Sequence, residues 1–152
     1  MARIPYYLDD LSPGQTFRGE VEFTVEEAAI KTFARQFDPQ PFHLDDESAK
    51  ATLFGGLAAS GWHTAAITMH LLVTGGAPLA GGIIGAGVDE LRWPKPVRPG
   101  DRLRIESEVV EVRPSKSRPS QGLVKMHTTT LNQNGEPVQI LLANLLVPRR
   151  PT

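Results

Sequence analysis

Cysteine is missing from the 152-residue sequence, which rules out disulfides, thiolate-held iron–sulfur clusters and a cysteine nucleophile. An excess of either charge is missing too: 16 Lys and Arg stand against 17 Asp and Glu, a formal net charge of −1. That balance supplies no broad electrostatic footprint for a polyanion, so nucleic acid is not expected as a partner. No apolar stretch is long enough to span a bilayer, and no membrane association is expected. The opening Met1-Ala2-Arg3-Ile4-Pro5-Tyr6-Tyr7-Leu8-Asp9-Asp10 sets a proline and two acids where an export signal needs an apolar run. A soluble, cytoplasmic protein is the expectation. Internal repeats and low-complexity linkers are absent as well.

What is present is ordinary globular composition, 40% hydrophobic and 22% charged, in a length that suits one domain over residues 1–152. Residues 16–23 read as a first strand, and Thr24-Val25-Glu26-Glu27 carries the capping-box pattern of a helix start. Val25, Ala29, Phe33 and Phe37 then recur, with Ala28, Ile30 and Ala34 beside them, at the spacing of one buried helix face. Pro39 disfavours helical backbone in the residue before it, so this helix must stop near Asp38. A short helix over residues 46–53, capped by Asp45, is expected next. Residues 61–73 are apolar around most of a helical circumference, and such a helix belongs inside something.

The second half reads as strands. Residues 83–93 form one, ending at the bend through Pro94, Pro96 and Pro99-Gly100-Asp101. Leu103, Ile105, Ser107 and Val109 then alternate with Arg102, Arg104, Glu106 and Glu108, the pattern of a half-buried antiparallel strand. Residues 123–131 and 138–147 follow, joined by the turn signal Asn134-Gly135. The last is apolar on both faces and is expected in the interior of the sheet. The sum is an α+β layout, an antiparallel sheet wrapped around a central apolar helix.

Two segments can carry chemistry. Asp38 stands at a helix end, where the partial negative charge of the helix disfavours an anion. The steps Asp38-Pro39 and Gln40-Pro41 stiffen the chain and would hold Asp38 and His43 in a defined relation on a rigid loop. A carboxylate and an imidazole converging on one water suit the addition or elimination of water. The plain alternative is a turn aspartate bonded to nearby amides beside a loop histidine. The other segment, Ala59-Ser60-Gly61-Trp62-His63-Thr64, opens the apolar helix. There the Gly61 amide could polarise a thioester carbonyl. Alternatively, Ser60 is an N-cap and Gly61 merely permits tight packing.

Over residues 33–72 the chain resembles the MaoC-like dehydratases, also called type 2 or R-specific enoyl-CoA hydratases. Their signature is aspartate, any residue, asparagine, proline, any residue and histidine, against Asp38-Pro39-Gln40-Pro41-Phe42-His43 here. Phe54-Gly55-Gly56-Leu57-Ala58 and Ser60-Gly61 resemble the glycine segment leading into the family's central helix, and Val97-Arg98-Pro99-Gly100-Asp101 the start of its next strand. The resemblance implies a single hotdog domain that forms a homodimer or a dimer of dimers. It implies addition of water to a 2-enoyl thioester of coenzyme A or a carrier protein, with no cofactor beyond the coenzyme A of the substrate. Carried over, Asp38 and His43 are the catalytic pair and Gly61 the oxyanion donor. Gln40, Pro41, Phe42, Ser60 and Trp62 are expected against the substrate, with Trp62 and His63 at the pocket mouth. Gln40 replaces the usual asparagine, Ser60 stands where many relatives have histidine, and Ala66 where some have serine.

Arg113, Lys116, Arg118 and Lys125 surround a serine-rich loop and are read either as a solvated basic loop or, with Arg118 foremost, as contacts to coenzyme A phosphates. His63 and His70 share a helix face but stand ~10 Å apart at the helical rise, too far for one metal ion, so no metal is expected. Gly85-Ala86-Gly87-Val88-Asp89-Glu90 lacks the last glycine and the helix of a dinucleotide fingerprint. Ser60 lacks the flanking glycines of a hydrolase elbow. The rival activities are a hotdog thioesterase, with the carboxylate activating water towards the carbonyl carbon, and a non-catalytic acyl-binding subunit.

Overall fold

The structure, a computed structural model, describes residues 3–152; Met1 and Ala2, the first residues of the opening segment, lie outside the described residues. The strands are β1 (Thr16–Arg18), β2 (Phe23–Thr24), β3 (Ile84–Arg92), β4 (Arg102–Pro114), β5 (Gln121–Leu131) and β6 (Pro137–Pro148). The helices are α1 (Glu27–Phe37), α2 (Pro41–Leu44), α3 (Asp46–Lys50) and α4 (Gly61–Gly75). The sheet runs β1-β4-β5-β6-β3, every pair antiparallel, with β2 also paired to β4. In β4 the alternation holds: Leu103, Ile105, Ser107 and Val109 are buried while Arg102, Arg104, Glu106 and Glu108 are not. The doubly apolar β6 lies between β5 and β3, where neither long side of the strand is free. Gly135 takes the left-handed conformation (φ 74°) in the turn before it, as the Asn-Gly signal requires.

Ser60 caps α4, its hydroxyl accepting from the Trp62 amide at 3.3 Å. The helix lies in the concave face of the sheet, burying Thr64, Ile67, Thr68, Leu71 and Leu72. Its other flank is open: Trp62, Met69 and Val73 are 61%, 46% and 60% exposed. One chain's sheet therefore cups the apolar helix without enclosing it. Together with Ile84 and Val88 on the edge strand β3, these residues leave large apolar side chains in solvent.

Two local expectations are overruled by pairing with β4. The strand expected over residues 16–23 is split into β1 and β2 because the Gly19 amide donates to the Ile105 carbonyl at 2.9 Å and the Glu20 amide to the Gly75 carbonyl at 3.1 Å. A Cβ on Gly19 would stand 2.7 Å from Ile105 Cγ1, so the chain passes closer there than a side chain allows. Thr24 does not cap α1. It pairs with Arg102 in the sheet, and the adjacent Val25 amide and carbonyl bond to Asp101 and Gly100. The N-cap is Glu26, without a side-chain cap. Among the described residues no helix is long and apolar enough to cross a membrane.

Ile105 is 1% exposed and packs with Leu71, Leu57 and Val138. Ile105→Ala is expected to lower stability by about 2–5 kcal/mol, the range for truncating a large buried aliphatic. A urea midpoint unchanged from that of the parent would contradict this packing.

Candidate active site

Helix α1 buries Ile30 and Ala34, while Ala29 and Phe37, expected on its buried face, are exposed because the helix turns the neighbouring stripe to the core. It ends as expected: the Asp38 amide closes the last turn on the Ala34 carbonyl at 2.8 Å, and Pro39 has no amide with which to continue. The segment that follows is not the loop expected from its two prolines. Pro41 opens the single helical turn α2, a first position its fixed φ and missing amide suit. One turn is too short to leave a periodic signal in sequence. It turns the His43 ring inward, where the residue is 4% exposed.

His43 Nδ1 lies 2.6 Å from the Ala58 carbonyl oxygen, and Nε2 lies 3.3 Å from Asp38 Oδ2. A carbonyl oxygen only accepts, so Nδ1 carries hydrogen and Nε2 is the nitrogen presented to the carboxylate. Phe42 stands edge-on to the imidazole with ring centroids 4.6 Å apart. Burial by itself would raise the Asp38 carboxyl. Side-chain hydrogen bonds from Gln40 and Ser60, and the field of His43, outweigh it and hold the group below the ordinary carboxylate range. The Gln40 bond, from Nε2 to Asp38 Oδ1, is 2.6 Å. Ser60 is fully buried; its hydroxyl accepts from the Trp62 amide and stands near enough to Asp38 to help lower that carboxyl.

Gly61 begins α4, and its amide has no hydrogen-bond partner among the described residues. The Trp93 ring lies directly on it: a Cβ at Gly61 would stand 2.6 Å from Trp93 Cδ2 and Cε2. Glycine is required here for close approach, as well as at the mouth of an anion-attracting helix start. Asp38, Gln40, Phe42, His43, Gly61 and Trp62 all line one pocket of about 700 Å³. Pro41 and Ser60, expected against the substrate, do not line it: Pro41 is exposed and Ser60 is fully buried. Arg118 does not reach it; it lies on the turn between β4 and β5, and β4 carries the chain ~40 Å from the pocket end at its strand rise.

His63 is not at the mouth. It is 8% exposed, stacked on Phe33 at 4.6 Å with an interplanar angle of 7°, and its Nδ1 has no partner. Burial lowers its pKa and keeps the ring neutral. His70 packs edge-on against Phe23. The pocket also takes Leu53, Phe54, Thr64, Trp93 and Lys95, the last ion-paired with Glu136. Sequence reasoning missed Trp93 and Lys95: their prolines mark a bend, and nothing local says that the bend folds over the start of α4. No cluster of three metal-ligating side chains occurs among the described residues.

A sheet cupped around one apolar helix defines a hotdog domain, and here an aspartate–histidine pair and a free helix-start amide share one pocket beside that helix. Residues 10–131 match the MaoC like domain. The chain belongs to the MaoC-like dehydratase family. It is 59% identical to the MaoC-like dehydratase of Rhodospirillum rubrum, whose crystal structure superposes with a TM-score of 0.93 over 97% of this chain and 99% of that one. The R-hydratase PhaJ1 of Pseudomonas aeruginosa is 30% identical, with a TM-score of 0.73 over 95% of this chain and 86% of that one. A 70-residue stretch is 40% identical to the mesaconyl-CoA hydratase of Cereibacter sphaeroides, covering 46% of this chain and 20% of that enzyme.

Gln40 is one of the donors that lower the Asp38 carboxyl. Replacing it with leucine is expected to raise the Asp38 pKa, read by carboxyl-carbon NMR titration of both proteins. An unmoved titration would mean that Gln40 does not bond the carboxylate in solution.

Proposed function

We propose that the chain is a hydro-lyase that adds water to a 2-enoyl thioester, or removes it from a 3-hydroxyacyl thioester, with coenzyme A as the favoured thiol. The observation that carries this reading is the 3.3 Å approach of His43 Nε2 to Asp38 Oδ2 in a pocket that also holds the free Gly61 amide. Asp38, ionised at neutral pH, takes a proton from the water whose oxygen bonds to C3. With Nδ1 bonded to Ala58, a proton on Nε2 is the one delivered to C2, and the proton Asp38 took from water then passes to Nε2 across their 3.3 Å contact, restoring both groups. Between those events negative charge sits on the thioester oxygen, where the Gly61 amide and the positive end of α4 stabilise it. No metal or further cofactor is needed for the balance of atoms. The mesaconyl-CoA hydratase match and the R-hydratase likeness support the same reaction class.

Loss of enoyl-thioester absorbance with purified protein and 2-enoyl-CoAs tests the reading. Asp38→Asn and His43→Gln are each expected to lower kcat by about 10²–10⁴, the usual worth of a positioned acid or base. Release of free thiol by the parent protein would instead indicate a thioesterase. Turnover unaffected by both substitutions would remove the pair from the mechanism.

The open flank of α4 and the edge strand β3 support a homodimer in which a second chain covers Trp62, Met69, Val73, Ile84 and Val88. Light scattering on the parent is expected to give twice the chain mass, and Val73→Glu to shift it towards the monomer. A monomeric parent would contradict the proposal.

A further inference from the structure

Behind the pocket wall lies a polar layer that the reaction does not use. The indole Nε1 of Trp93 donates to Gln139 Oε1 at 2.9 Å, and Gln139 Nε2 donates to Thr68 Oγ1 at 3.0 Å. Thr68 Oγ1 is also 2.6 Å from Thr130 Oγ1 and bonds the Thr64 carbonyl at 2.9 Å. Gln139, Thr68 and Thr130 are all 0% exposed. A buried glutamine is costly unless both ends of its amide are bonded, and here both are. The bonds also set its orientation, because the indole can only donate.

The register shows what this layer divides. Thr130 pairs with Gln139, Thr128 with Leu141 and Met126 with Ala143. On α4 the series facing the sheet runs Thr64, Thr68, Leu72. Thr64 and Trp93 line the catalytic pocket. Thr128, Leu141, Met126, Ala143 and Leu72, the next positions along all three elements, line a second, apolar cavity. Gln139, Thr68 and Thr130 therefore stand between the two, on the path an acyl chain would follow from Gly61 along α4.

We propose that the hydrogen-bonded layer of Gln139, Thr68 and Thr130, braced by Trp93, is the floor of the acyl site and restricts this protein to short-chain acyl thioesters by closing off the apolar cavity beyond. This rests on the thioester reading above. An apolar tail long enough to meet the layer would have to break bonds among fully buried groups, with no water to replace them. A short acyl group stops at Thr64 and Trp93 and leaves the layer intact.

The test is calorimetric titration of the full chain with saturated butanoyl-, hexanoyl-, octanoyl- and decanoyl-CoA, which bind without turnover. Each methylene that finds apolar room lowers Kd about fourfold. The parent is expected to gain affinity up to hexanoyl and to lose it beyond. Gln139→Ala, or Thr130→Ala should the first fail to fold, opens the floor onto a cavity of about 40 Å³, and the gain is expected to extend to octanoyl. A parent Kd that keeps falling through decanoyl overturns the proposal. So do folded alanine variants with the parent's cut-off, and so does a parent with no affinity for any acyl-CoA. A protein that shows the cut-off in binding yet hydrates no enoyl-CoA refutes the hydro-lyase reading and leaves the floor in place.

Discussion

From the Leu57 amide to the Ala59 amide the polar backbone groups of the strip before α4 are assigned one after another. The Leu57 amide donates to Asp46 Oδ1 at 2.9 Å, and the Leu57 carbonyl accepts from Arg98 at 3.3 Å. The Ala58 amide bonds the Phe42 carbonyl, the Ala58 carbonyl holds His43, and the Ala59 amide bonds Val97. Ser60 starts α4, and among the described residues the Ala59 carbonyl and the Ser60 and Gly61 amides have no partner; of the two amides, that of Gly61 belongs to a residue lining the pocket. Buried backbone groups are almost never left unpaired, so an unpaired one opening into a pocket points to a ligand. The strip is kept in place by the Arg98 guanidinium, which also donates to the Gly56 carbonyl at 2.9 Å and to the Phe54 carbonyl. The segments bearing Asp38, His43, Gly61 and Trp93 all meet along this strip.

The electrostatics follow from that placement. Asp38 sits at the negative end of α1, an unfavourable site for an anion. Its charge is kept by donors brought from outside the helix, Gln40 from the next turn and Ser60 from α4. Thus the site is paired with the fold's own stability: the serine that caps the central helix also stabilises the ionised carboxylate. His63, in the first turn of α4, is buried against Phe33 without a donor or acceptor for Nδ1, and burial alone keeps it neutral. The two histidines in this part of the chain differ because one meets a carbonyl and a carboxylate and the other a phenyl ring.

The core is less apolar than its helix suggests. Besides the Gln139 layer, Ser107 and Thr128 pair their hydroxyls at 2.8 Å on the inner faces of β4 and β5. Such pairs contribute little net stability, since each replaces bonds to water, but an unpaired member would cost about 1–3 kcal/mol. They favour one register of the sheet over its neighbours, because a slip of one residue would send every inner hydroxyl outward and bury charges such as Glu106 and Glu108.

The amino-acid sequence by itself determined the features that depend on near neighbours. The alternation from Arg102 to Val109, the stop of α1 at Pro39 and the turn at Gly135 are consequences of strand period, ring closure and glycine backbone. The Asp38–His43 pair was legible through its motif, though not the helical turn that orients it. Only the tertiary structure decided which local signal would yield. Thr24 gave up its capping role to pair with Arg102, and Arg118, adjacent to no pocket residue, ended at the far end of β4. Trp93 was placed on Gly61 and bonded to Gln139, 46 residues away. Local periodicity records which face of an element is buried. It holds no record of what lies across from that face, and here the order of strands and the seat of α4 against them settle which side chains meet.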